Sequence, residues 1–130
     1  MKMELLGDPD GLKKHLKTSS LTFREAIVDY YKCLGQTHGF TCLTDAPILK
    51  NGTDYGTVDL VWVEPDMVFM SEFGLPQDLY RHLFKAIVLK PKKAVLLLSS
   101  KSRCSPDKAI EVVRHTPELQ SSEIVVVDVA

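Results

Sequence analysis

Two short apolar runs late in the chain, residues 94–99 and 123–129, constrain the fold more than any other feature of this sequence. An unbroken hydrophobic stretch of this length suits a strand covered on both faces, because a half-exposed strand alternates with a period of two. Between the runs lies a helical stretch that opens at Ser105-Pro106-Asp107 and continues to about His115. Ser105 can cap it, and Pro106 supplies the fixed φ of a first helical turn. Strand, helix and strand, with both strands buried, imply parallel pairing beneath packed helices.

Upstream, the period is helical to about residue 39 and strand-like from residue 40. Asp8-Pro9 reads as the cap and first turn of a short helix carrying Leu12 and Leu16 through a basic run, Lys13, Lys14 and Lys17. A longer helix starts near Thr22, with Phe23, Ala26, Ile27, Tyr30, Tyr31 and Leu34 at helical spacing, and ends at Gly35 or Gly39. Thr22 and Glu25 form a capping box. Residues 40–49 alternate as a strand, residues 50–56 are turn-forming, and residues 57–64 and 67–73 form a β-hairpin broken at Pro65-Asp66. Pro76 opens a helix with Leu75, Leu79, Leu83, Ala86 and Ile87 on one face and Gln77, Arg81 and Lys85 on the other. The expected order is α-α-β-β-β-α-β-α-β, a mixed central sheet flanked by helices within one α/β domain of residues 1–130.

A length of 130 residues admits one sizeable core and is short for two ordinary domains. Lys and Arg number 16 against 17 Asp and Glu, a formal charge of −1, so any basic surface for nucleic acid must be local. Cys33, Cys42 and Cys104 are odd in number and contain no CxxC pair, which argues against a disulfide framework and a structural zinc site. No apolar run approaches the roughly 18 residues of a membrane span, and Met1 to Leu6 lack the apolar core of a signal peptide. A cytoplasmic protein with no membrane partner is expected. His15, His38, His82 and His115 show no metal-ligand spacing, and Ser99-Ser100 lacks the glycines of a nucleophile elbow. Tyr30 and Tyr31 are adjacent on a helix, and no aromatic array suited to stacking bases is visible.

The chemistry concentrates on the hairpin. A turn centred between Pro65 and Asp66 sets Glu64 opposite Met67 and Asp59 opposite Glu72, with Cβ atoms roughly 4.5–5.5 Å apart. Both acids lie in largely apolar strands, where two facing carboxylates demand a proton, a basic partner or a cation. Mg²⁺ or Mn²⁺ would satisfy them, because these ions take oxygen ligands and tolerate water and phosphate in the remaining positions. Asp and Glu at strand ends are also commonly just exposed or paired with a nearby lysine.

Gly56-Thr57-Val58-Asp59-Leu60 followed by Met70-Ser71-Glu72-Phe73-Gly74 resembles the motif of the PD-(D/E)xK nuclease superfamily. The resemblance spans residues 21–99 and implies a restriction-endonuclease-like αβββαβ core, here with an extra N-terminal helix and a C-terminal αβ unit. It implies that Asp59 and Glu72 bind the catalytic metal, with Glu25 as a third acid, although capping explains Glu25 equally well. The superfamily's lysine falls on Gly74. Lys85, and less directly Arg81, could supply that cation from the following helix, which otherwise presents a solvated polar stripe. Gln77 and Tyr80 bear a faint likeness to a glutamine-tyrosine motif of some relatives.

Lys90, Lys92, Lys93, Lys101 and Arg103 are the candidate nucleic-acid contacts, through phosphates. The expected function is therefore a Mg²⁺- or Mn²⁺-dependent nuclease hydrolysing DNA phosphodiester bonds, with Asp59, Glu72 and Lys85 as its catalytic residues. Small relatives are often homodimers. The alternative is a catalytically degenerate nuclease-like module for nucleic-acid binding or assembly. A third reading, favoured by a shifted hairpin register, is an unrelated small α/β interaction protein.

Overall fold

In the computed structural model, which describes Leu6 and residues 9–130, α1 (Pro9–Thr18) and α2 (Phe23–Thr37) precede three consecutive strands. These are β1 (Cys42–Lys50), β2 (Thr53–Trp62) and β3 (Met67–Ser71). Then follow α3 (Pro76–Leu89), β4 (Lys93–Leu98), α4 (Pro106–Arg114), a single 3-10 turn over Pro117–Leu119, and β5 (Glu123–Asp128). The expected element order is met, with the 3-10 turn added. Local chemistry explains the helix starts. Thr22 accepts from the Glu25 amide and Ser105 from the Lys108 amide, while Pro76 and Pro106 occupy first turns. The expected Asp8 cap lies outside the described residues.

The chain is an α/β protein built on an open, mixed, five-stranded sheet in the order β1-β2-β3-β4-β5. β1, β2 and β3 pair antiparallel, whereas β3, β4 and β5 are parallel, so β2 alone runs against the rest. Asn51 and Gly52 both adopt positive φ, 52° and 78°, and turn β1 directly into β2. The turn expected over residues 50–56 is therefore shorter, and β2 begins at Thr53. On the open edge of β1, Pro47 lacks an amide donor and Asp45 takes φ 49°, two irregularities that disfavour pairing with another chain.

Each sheet face has its own core. On one, Leu12 of α1 and Ile27 and Tyr31 of α2 pack on Leu60, Trp62, Met67, Phe69, Val95 and Leu97. Close approach is set by Gly35, where a Cβ would lie 2.3 Å from Trp62 Nε1. That indole nitrogen donates to the Tyr31 carbonyl at 3.1 Å. On the other face, Leu79, Leu83 and Ala86 of α3, with Ala109 and Leu119, cover Val58, Val68, Met70, Ala94, Leu96 and Leu98. Burying each large apolar side chain stabilises by about 1.5–3 kcal/mol, so alternate residues of β4 anchor opposite layers.

The β2–β3 register differs from the expected one. Trp62 pairs with Met67 and Leu60 with Phe69, so residues 63–66 form the loop. Glu64 has left the ladder, because its carboxylate takes both the amide and the hydroxyl of Thr41 at 2.6 Å. Asp66, at φ 53°, closes the loop through its amide to the Val63 carbonyl. Carried along the hairpin, this register sets Asp59 opposite Met70 instead of Glu72. Among the described residues, no helix is long and apolar enough to cross a membrane.

Candidate functional site

Strict alternation in β2 breaks at Asp59. Val58 belongs to the α3-side core and Leu60 to the α2-side core, although residues two apart in a regular strand share a face. Asp59 goes with α2. Its Oδ2 accepts from the Ser71 amide at 2.7 Å and the Ser71 hydroxyl at 3.0 Å. It also lines an open cavity of about 250 Å³ with Arg24, Glu25, Asp29 and Lys32 of α2 and Asp45 of β1. Asp45 sits across the β1–β2 ladder from Asp59, between the Thr44–Leu60 and Ala46–Val58 pairs. Glu25, expected as the third acid, therefore shares a cavity with Asp59. Asp29 and Asp45 carried no signal in the sequence, since only helix packing and strand pairing bring them there.

Glu72 faces the opposite layer. Its amide continues the β3–β4 ladder by donating to Leu97 O, and its side chain turns to α3. There Oε1 meets His82 Nε2 at 3.0 Å and Oε2 accepts from the Gly74 amide at 2.9 Å. Glu72 is only 6% exposed. The carboxylate can only accept, so Nε2 of His82 carries the proton, and the buried Nδ1 meets no partner among the described residues. Burial lowers the His82 pKa below its ordinary value, and the Lys85 charge adds to this. The hydrogen bond that His82 donates to Glu72 and the charges of Glu72 and Asp59 pull upward and are outweighed, which leaves the imidazole neutral at pH 7. Short as the contact is, it is a hydrogen bond donated by a neutral ring.

Gly74 stands two residues after Glu72, where the resemblance implied a lysine. A Cβ there would lie 2.9 Å from Glu72 Oε2 and 3.5 Å from Asp78 Oδ2. Lys85 reaches over the start of β2 from α3 and donates to the Thr57 carbonyl at 2.8 Å. It stands on the His82 side of the sheet. The basic residues do not gather in one place. Lys90 caps α3, Lys92 is exposed, and Lys93 pairs with Glu123 at 3.1 Å, all near the start of β4. Lys101 and Arg103 follow its other end, and a strand of 6 residues separates the groups by roughly 20 Å.

The two hairpin carboxylates thus have no hydrogen-bond partner in common, although the charges of both act on His82. Glu25, Asp59 and the cavity cations lie on the α2 side, while Glu72, His82, Gly74 and Lys85 lie towards α3. Among the described residues, no cluster of three or more His, Cys, Asp or Glu side chains is arranged to hold a metal ion. Each carboxylate is engaged separately, Asp59 by the amide and hydroxyl of Ser71 and Glu72 by His82 and the Gly74 amide. No protein-family model, no curated protein and no solved structure matches the chain.

Proposed function

We propose that this chain is a restriction-endonuclease-like domain that binds nucleic acid without cutting it. The α2-β1-β2-β3-α3-β4 order supports the family resemblance, as does an acid in β2 followed by another at the end of β3. One observation carries the loss of hydrolysis: the Glu72 carboxylate is committed to His82 and the Gly74 amide and shares no hydrogen-bond partner with Asp59. Releasing Glu72 would strand buried donors at about 1–3 kcal/mol each, so recruiting it to a phosphate-bound ion opposes the local structure. At position 74 a side chain would crowd that same carboxylate.

A metal-dependent DNA nuclease remains the second reading, favoured by the cavity that Glu25 and Asp59 share with Arg24 and Lys32. Those two acids would hold the Mg²⁺ or Mn²⁺ ion, which would supply an activated water and offset charge on the phosphate. Incubation with duplex, nicked, branched and single-stranded DNA in Mg²⁺ and in Mn²⁺ separates the two readings. Binding that weakens with salt, without cleavage, is the expected result. Metal-dependent cleavage abolished by both Asp59→Ala and Glu72→Ala would overturn the non-hydrolytic reading in favour of the expected carboxylate pair. Cleavage lost in Glu25→Gln and Asp59→Asn but kept in Glu72→Gln would instead locate an active centre on the α2 side.

A further inference from the structure

On the outer side of α3, away from the hairpin acids, Tyr80 and Phe84 stand one turn apart and are 55% and 53% exposed. Tyr55 of β2 comes up beside them, its ring 6.0 Å from that of Phe84 at 50°. Together with Asp54, Gly56, Arg81 and Lys85 these rings line an open groove of about 500 Å³, within the roughly 300–1,000 Å³ of small-molecule sites. Gly56, at φ 99°, keeps the groove open, since a Cβ there would come within 3.3 Å of Lys85 Cε. Adjacent large aromatics gain little from water, and a solvated helix stripe does not account for them.

Charge identifies the occupant. Lys85 is held at the groove by the Thr57 carbonyl, and its ammonium keeps further donors. Arg81 is anchored through Nη2 to Asp78 at 3.1 Å, with its side chain 74% exposed. Both neighbouring acids are engaged, Asp78 by Arg81 and Asp54 by the Gly56 amide at 2.8 Å. Aromatic faces interleaved with cations fit a flat π system attached to an anion. We infer that this groove takes unpaired nucleotides, with bases stacked on Tyr80 and Phe84 and phosphates met by Arg81 and Lys85. Paired bases hide their faces, so single-stranded segments are selected over duplex.

This inference rests on the nucleic-acid-binding reading and adds the site and the strand state. Fluorescence anisotropy on the full chain at low salt, with labelled oligo-dT and a duplex of equal length, tests both. Tighter binding of oligo-dT is expected, weakened about ten-fold or more by Tyr80→Ala with Phe84→Ala. Tyr80→Trp, which keeps a stacking face, retains the affinity that Tyr80→Ala loses, and this single-site pair decides the matter if the double variant does not fold. Arg81→Gln lowers the salt dependence of oligo-dT binding. Nucleic-acid binding that prefers duplex, or that survives loss of both rings, overturns the groove assignment and leaves the broader reading standing. No binding to any nucleic acid overturns both. Self-association lost in the double variant, with oligo-dT binding intact, reassigns the groove to a protein partner.

Discussion

Asp59 and Glu72 leave the same hairpin for opposite environments. Asp59 faces an open cavity on the α2 side, with Ser71 as its partner and Arg24 and Lys32 nearby. Glu72 enters a closed pocket under α3, where a neutral histidine and one amide take both of its oxygens. The wet carboxylate keeps hydration and remains able to meet an ion. By contrast, the dry one has exchanged hydration for fixed hydrogen bonds and can be recruited only by breaking them. Identity and sequence spacing therefore do not make a carboxylate pair; shared surroundings do.

The largest effect should come from the dry side. Glu72→Ala leaves His82 Nε2 and the Gly74 amide without their acceptor, and a loss of about 3 kcal/mol in urea unfolding is expected. If the loss matched that at an exposed acid, the contrast between the two regions would disappear. Gly74→Lys ranks next, because its Cβ would press on Glu72 Oε2 at 2.9 Å, and a cost of about 1–2 kcal/mol follows. The introduced lysine should give neither cleavage nor tighter Mn²⁺ binding in calorimetry. A gain in either would mean that the closed pocket opens far enough to join Asp59.

Much of the fold was legible, because it depends on signals local in sequence. Pro76, Ser105-Pro106 and Thr22 mark three helix starts, and the apolar run of β4 declares its double burial, whereas β5, equally apolar, lies at the sheet edge and is only half-buried. The hairpin register was not legible, because it is set from outside the hairpin: Thr41 draws the Glu64 carboxylate out of the ladder. Nor could spacing foresee the broken alternation at Asp59, which sends it to α2 while Val58 remains on the α3 side. His82 showed no motif, and its bond to Glu72 exists only once α3 folds back over the end of β3. The groove aromatics escaped for the same reason, with Tyr55 contributed by a strand and Tyr80 and Phe84 by a helix.

On the wet side a smaller effect is expected. Asp59→Ala removes the acceptor of the Ser71 amide and hydroxyl, but water can enter the cavity and replace it, so about 1 kcal/mol is lost in the same urea measurement. A loss as large as that of Glu72→Ala would show that Asp59 is also part of a closed network.

The smallest effect is a pH dependence that belongs to one region alone. Burial under α3 and the Lys85 charge hold the His82 pKa below the ordinary 6.5, so the folded state prefers the neutral ring. The unfolded chain then binds more protons between the lowered pKa and about 6.5, and stability must fall as pH drops through that window. Above about pH 6.5 the contribution is complete. The charges of Glu72 and Asp59 oppose the shift and are outweighed by burial. Urea unfolding from pH 7.5 to 5.5 should show declining stability in the natural chain and a shallower decline in His82→Gln, whose amide can still donate to Glu72. Subtraction cancels whatever the two proteins have in common and leaves the contribution of position 82. An unchanged slope would mean that water reaches His82 and that the pocket around Glu72 is as wet as the cavity around Asp59.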